Sequence, residues 1–166
     1  MRVTTDPTGS ISGTGAAVTF RGTGVPSPPR FAERDVGGQW RLEHRPEAAA
    51  EARRIGRRML DAWGVEGGAR DVVLLVISEL VTNSVEHAVG PLRLRIDRSR
   101  RDGRLRIEVT DGGPAAREGA WTRSCARDEH GRGLALVKAV TEVCGTRVTG
   151  RRTTHWARVD PAGTGT

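Results

Sequence analysis

The stretch VVLLVISELVTNSVEHA, from Val72 to Ala88, constrains this chain more than any other segment. It is an apolar run that reads as a helix, with Asp71 near its start and Gly90-Pro91 to end it. Glu79 and Asn83 stand one turn apart within it, on the same helical face. A carboxylate and a carboxamide projecting from so apolar a helix are costly to bury without partners. Ser78, Glu79, Thr82, Asn83 and Glu86 together form one polar stripe. Such a stripe faces either water or a ligand, and the rest of the chain has to decide between the two.

At 166 residues the chain holds one domain with some length to spare, enough for a sizeable core. With four Trp, two Phe and no Tyr, that core must be built mainly of Val, Leu, Ile and Ala. The formal charge of +7 is almost wholly arginine, because Lys138 is the one lysine. A GC-rich genome produces the same bias, so charge alone does not choose between nucleic acid and an acidic partner. A nucleic-acid reading has no further support, since no aromatic stacking platform or recognition-helix pattern accompanies the charge. Cys125 and Cys144 have no metal-ligand spacing, and two lone thiols fit a reducing compartment. No stretch approaches a membrane span, and the N-terminus lacks a charged region followed by an apolar one. A cytoplasmic protein with no direct contact to membrane or nucleic acid is expected.

Composition divides the chain. Residues 1–38 are rich in Gly, Thr, Ser and Pro and are expected to form a disordered arm. Residues 39–160 carry the domain, and 161–166 a flexible tail. A short strand is expected at Gln39–Leu42, followed by a helix after Pro46 on which Ala48, Ala52, Ile55, Met59 and Trp63 recur at helical intervals. Gly64 suits its stop, and Gly67-Gly68 a turn. Beyond the central helix, LRLRID at Leu92–Asp97 and RLRIEVTD at Arg104–Asp111 alternate apolar with charged residues, as in strands buried on one face. Asp102-Gly103 joins them as a hairpin. From Gly112 to His130 the chain is polar and aperiodic, a length usual for functional lids or disordered segments. A third helix is expected over Leu134–Cys144, ended by Gly145, with strands near Thr146–Thr149 and Thr154–Val159. Antiparallel strands beside helices imply an α+β two-layer sandwich.

Two glycine turns could bring a ligand to the polar stripe. Asp111 ends a strand directly before Gly112-Gly113, where a carboxylate can accept from an exocyclic amine and glycine lets a flat ring approach the backbone. Asp-Gly at a strand end is equally a common turn. Gly131-Arg132-Gly133 precedes the third helix, where backbone N–H groups and the helix N-terminus can face an anion. A lone GxG is weak evidence, so neither turn decides the matter by itself.

Taken together, ELVTNSVEHA, VTDGGP, HGRGLALV and RTTHWARV resemble the ATP-binding domain shared by gyrase, Hsp90, histidine kinases and the mismatch-repair ATPases. Within that superfamily the chain is similar to the anti-sigma-factor serine kinases of bacterial partner switching, and to small stand-alone ATP-binding regulators of actinobacteria. The resemblance covers about Gln39 to Val159. It implies the Bergerat form of the two-layer sandwich, with a mixed, mostly antiparallel sheet covered by helices on one face. It also implies ATP and Mg2+ as cofactors and a role for each matching residue. Glu79 would be the general base, Asn83 the Mg2+ ligand, Asp111 the acceptor for the adenine amine, and Gly113 the room for the ring. Gly131, Arg132, Gly133 and Leu134 would close the phosphate side, with Arg117, Arg123 and Arg127 in or beside the lid. Thr153 would back the adenine carboxylate, although Arg152 replaces the usual glycine and leaves Thr154 as the alternative. The box after Asp111 reads GGP and lacks the second glycine of DxGxG.

The implied activity is transfer of phosphate to a serine or threonine of an anti-sigma antagonist, with a sigma factor as a further partner and a homodimer as an open expectation. The alternative is a non-catalytic ATP-responsive regulator that binds proteins. Retention of Glu79 favours catalysis, because a pure binding module needs no base. No helix pair with an exposed phosphoacceptor His precedes the domain, which sets aside a histidine-kinase fragment.

Overall fold

The structure is a computed structural model that describes residues 36–115 and 132–162. Five strands and three helices follow one another along these segments: β1 (Val36–Leu42), α1 (Ala48–Ala62), α2 (Gly67–His87), β2 (Leu92–Arg98), β3 (Leu105–Asp111), α3 (Arg132–Val140), β4 (Val143–Thr149) and β5 (Arg152–Val159). The strands form one sheet in the order β1-β2-β3-β5-β4, and every neighbouring pair is antiparallel.

Alternation along the strands builds the two layers. Leu94 and Ile96 of β2, Ile107 and Val109 of β3, and Ala157 and Val159 of β5 turn to one face and join a single core with the helices. Leu94, Ile96, Ile107 and Val109 are fully buried, and each such aliphatic side chain is worth roughly 1.5–3 kcal/mol when removed from water. On the opposite face Arg106 lies over the Trp156 ring, 5.9 Å from its centroid. Gly145 leaves room for that indole, since a Cβ there would stand 3.0 Å from the ring.

The helices reach the sheet through their small and aliphatic stripes. α1 buries Ala48, Ala52, Ile55, Gly56 and Leu60. Gly56 sets its close approach to α2, because a Cβ there would lie 2.6 Å from Ile77 Cδ1. α2 buries residues over most of its length, from Ala69 and Val73 to Ser84 and Val85, and is the central helix of the layer.

Three element boundaries differ from the sequence expectation. β1 starts at Val36, because Gly37 and Gly38 pair with Asp97 and Ile96 of β2. The expected Gly67-Gly68 turn is the first turn of α2, entered by Gly67 at a φ of +60°. The third helix stops at Val140, and Cys144 and Gly145 belong to β4. There Val143 and Cys144 pair with Arg158 and Ala157, so strand pairing to β5 overrides the helical spacing of Cys144. The expected arm falls almost wholly outside the described residues, as do Cys125 and the tail beyond residue 162. No helix among the described residues is long and apolar enough to cross a membrane.

Candidate active site

The site forms where the second half of α2 meets the end of β3, the start of α3 and the first residues of β5. At its centre Asp111 is 1% exposed, yet both its carboxylate oxygens are engaged. Ser84 Oγ donates to Oδ2 at 2.7 Å, and the Gly113 N–H donates to Oδ1 at 2.9 Å. His155 Nε2 stands 3.8 Å from Oδ2, while its Nδ1 is 3.0 Å from Thr146 Oγ1. Burial pushes the His155 imidazole below its usual 6.5, against the weaker pull of the Asp111 charge, so the ring is neutral at pH 7.

The turn after Asp111 is pinned by backbone. The Gly112 N–H donates to the Val89 carbonyl at 2.7 Å, Val89 to Gly113 at 2.9 Å, and Ala115 to His87 at 2.9 Å. Gly113 adopts a φ of +91°, and a Cβ there would meet the Arg151 carbonyl at 2.2 Å. Both facts reserve the position for glycine. A Cβ on Gly112 would strike the Gly90 carbonyl at 2.4 Å. DGG is therefore more than a strand-ending turn, because its glycines are needed to lay the chain against the end of α2.

Register separates the two threonines. Thr153 is the direct cross-strand partner of Asp111, and paired residues share a face of the sheet. Thr154 pairs with Thr110 instead, and the two hydroxyls are 2.9 Å apart on the other face. Thr153 is thus the threonine beside the Asp111 carboxylate.

The other end of the site lies back along α2, at Asn83 next to Ser84 and at Glu79 about one turn further. Glu79 and Asn83 are both half-buried, and no hydrogen bond to either side chain forms among the described residues. Burial raises the Glu79 carboxyl above its usual 4.5, and the charge of Glu86 adds to the effect. The first turn of α3 rests directly on this carboxylate. A Cβ on Gly133 would come within 2.2 Å of Glu79 Oε2, so a glycine permits the contact. Arg132 opens α3, and Leu134 packs partly buried against the core. Gly131, Arg117, Arg123 and Arg127 lie outside the described residues.

Two neighbours of Asp111 escape sequence reasoning. Ser84 reads along the chain as one more small residue of an apolar helix, although it is fully buried and polar and so requires a partner. His44 Nε2 reaches the Ser84 carbonyl at 3.2 Å and ties the loop before α1 to the same turn of α2. His155 is legible only as part of RTTHWARV, because pairing with β3 is what carries it toward Asp111.

A profile of the histidine kinase-like ATPase domain matches residues 42–158. The chain belongs to that family. Its matched span runs from the end of β1 to the penultimate residue of β5 and takes in every described element of the site. No curated protein matches the chain. Among solved structures, the chain is similar to the RsbU and RsbW domains of Rv1364c from Mycobacterium tuberculosis, with 22% identity and a TM-score of 0.59. The match covers 75% of this chain and 32% of that one, so this chain corresponds to about a third of that protein's length. At that identity the likeness carries the fold alone.

Proposed function

We propose that this ATP-binding domain acts as a regulator of the anti-sigma-factor type, transferring the γ-phosphate of ATP to a serine or threonine of an anti-sigma antagonist. The similar mycobacterial structure includes an RsbW domain, which supports placing this chain among partner-binding regulators. Asp111, Gly113 and Thr153 would hold the adenine, the carboxylate accepting from its amino group. Gly131, Arg132, Gly133 and Leu134 would close over the phosphates, with backbone N–H groups at the start of α3.

The half-buried Asn83 carboxamide, with no hydrogen bond to it among the described residues, offers a hard oxygen of the kind Mg2+ takes beside phosphate and water. Bound there, Mg2+ would neutralise phosphate charge. Glu79 would accept the proton of the attacking hydroxyl as its oxygen bonds to the γ-phosphorus and the bond to the ADP oxygen breaks. Its raised pKa makes it a better proton acceptor than an ordinary surface glutamate.

The observation that carries this reading is the meeting of Glu79 with the first turn of α3, one helical turn from Asn83. It supports reading Glu79 as a desolvated carboxylate beside the phosphates. The same contact favours a second reading. With Gly133 resting on Glu79, a terminal phosphate entering between them would shift α3, and ATP could then set partner affinity without phosphate transfer.

Labelled ATP separates the two. Glu79→Gln should cut transfer to an antagonist domain by ~10²-fold or more while ATP binding survives in calorimetry. Equal transfer by variant and parent would remove Glu79 from the chemistry. Partner release by ATP with no labelled product in either protein would favour the non-catalytic reading.

A further inference from the structure

On the β1 edge of the sheet, two strands away from Asp111, a groove of about 750 Å³ runs between β1 and α1. Its floor is apolar, formed by the buried Ile55 and the partly buried Trp40. Its walls carry Arg41, Arg54, Arg57 and Arg58, all exposed. Some arginines elsewhere meet carboxylates: Arg45 faces Glu43, Arg95 faces Asp97, and Arg104 and Arg158 share Glu142. The four groove arginines form no ion pair among the described residues. Glu51, the acid in the groove, stands 3.9 Å from Arg45.

This arrangement costs the free protein something. Arg54, Arg57 and Arg58 are three and four residues apart on α1, the spacing at which like charges repel. An acidic occupant would relieve that repulsion. The groove also borders an edge strand, since β1 pairs with β2 and with no other described strand. Edge N–H and C=O groups receive an extended chain, while flanking pockets read its side chains.

We infer that the β1–α1 groove docks an extended acidic segment of a partner protein. One apolar side chain of that segment sits on Trp40 and Ile55, and its carboxylates meet Arg41, Arg54, Arg57 and Arg58. A nucleic acid fits less well, because it calls for a continuous basic track with stacking faces, and here the one indole belongs partly to the core. The inference does not depend on phosphate transfer at Glu79, since the groove lies apart from that site.

The test is fluorescence anisotropy on the full chain. The probes are a labelled peptide alternating Glu with Leu, its counterpart with Gln for Glu, and labelled single-stranded oligo(dT). The Glu peptide should bind, with an affinity that falls as salt rises, and the Gln peptide should not. The pair Arg54→Glu and Arg57→Glu should weaken the Glu peptide by ~tenfold or more, with ATP affinity unchanged as the control for folding. The milder pair Arg54→Gln and Arg57→Gln should weaken it less, and Trp40→Ala should also reduce it. Absence of Glu-peptide binding, equal binding of both peptides, or unchanged affinity in the arginine variants would each overturn the inference. Tighter binding of oligo(dT), lost in the same variants, would reassign the groove to nucleic acid.

Discussion

Asp111 sits in place with both carboxylate oxygens bonded and its following turn stitched to the end of α2 by three backbone hydrogen bonds. Glu79 and Asn83, on the same helix, receive no hydrogen bond among the described residues, and a glycine of α3 rests on Glu79. One end of the site is therefore built before any ligand arrives, and the other has polar groups still to be matched. The proposed function accounts for the difference by what each end would recognise. A flat, nearly invariant base rewards a rigid backbone cradle, because preorganisation spares the ordering cost of binding. A phosphate chain that is to be transferred needs groups free to bond the transition state more strongly than the bound substrate.

Changes at the phosphate end should alter rate and leave fold and affinity alone. Glu79→Gln should lower phosphate transfer by ~10²- to 10⁴-fold, the usual contribution of a positioned base. ATP affinity should stay within about threefold, and thermal stability should not fall, because burial already disfavours the Glu79 charge. At the proposed adenine end the order reverses. Asp111→Ala should weaken ATP by ~100-fold or more in calorimetry, as it removes the proposed acceptor of the adenine amine. It should also cost roughly 1–3 kcal/mol in urea unfolding, since the buried Ser84 hydroxyl and the Gly113 N–H lose their partner. A variant at Glu79 that unfolded the chain, or one at Asp111 that spared ATP binding, would break the comparison.

Smaller substitutions sharpen it. Gly113→Ala must adopt a φ of +91° against the Arg151 carbonyl, and should cost about 2 kcal/mol or more of stability. Gly133→Ala meets only the far end of a flexible Glu79 side chain. It should cost about 0.5 kcal/mol or less and show itself in turnover instead. Ser84→Ala should destabilise by about 1 kcal/mol and weaken ATP modestly, because Asp111 keeps its bond from Gly113.

Much of this contrast is legible in residues four apart or next to one another. Glu79 and Asn83 declare themselves as a polar pair on an apolar helix, and Asp111 as an acid before two glycines. The hairpin of β2 and β3 follows from alternation, and the helices α1 and α2 from their stripes. What stays hidden depends on long-range pairing. Cys144 fits a helical face by spacing, yet β5 draws it into β4. Thr153 and Thr154 are indistinguishable along the chain, and the register to β3 separates them. Ser84 and His155 become part of the site only once α2, β3 and β5 are packed together. The contact of Gly133 with Glu79 spans more than fifty residues and leaves no local sign.

Acid provides the finest division between the two ends. The Glu79 carboxyl has a folded-state pKa above 4.5, so its protonated form is favoured by folding. Its stabilising contribution is complete below 4.5 and is lost as pH rises through the raised value. Turnover runs the other way, since the base must be ionised, and kcat should fall on acidification with an apparent pKa above 4.5. His155 has a folded-state pKa below 6.5, so between that value and 6.5 the unfolded chain binds more protons. Stability should therefore decline as pH drops below 6.5, and His155→Gln should flatten the decline in a series of thermal melts. The part of the Tm decline that His155→Gln removes then reports the proposed adenine end, and kcat the proposed phosphate end, within one titration. A decline of Tm that persists unchanged in His155→Gln would place the sensitive group elsewhere and dissolve this last distinction.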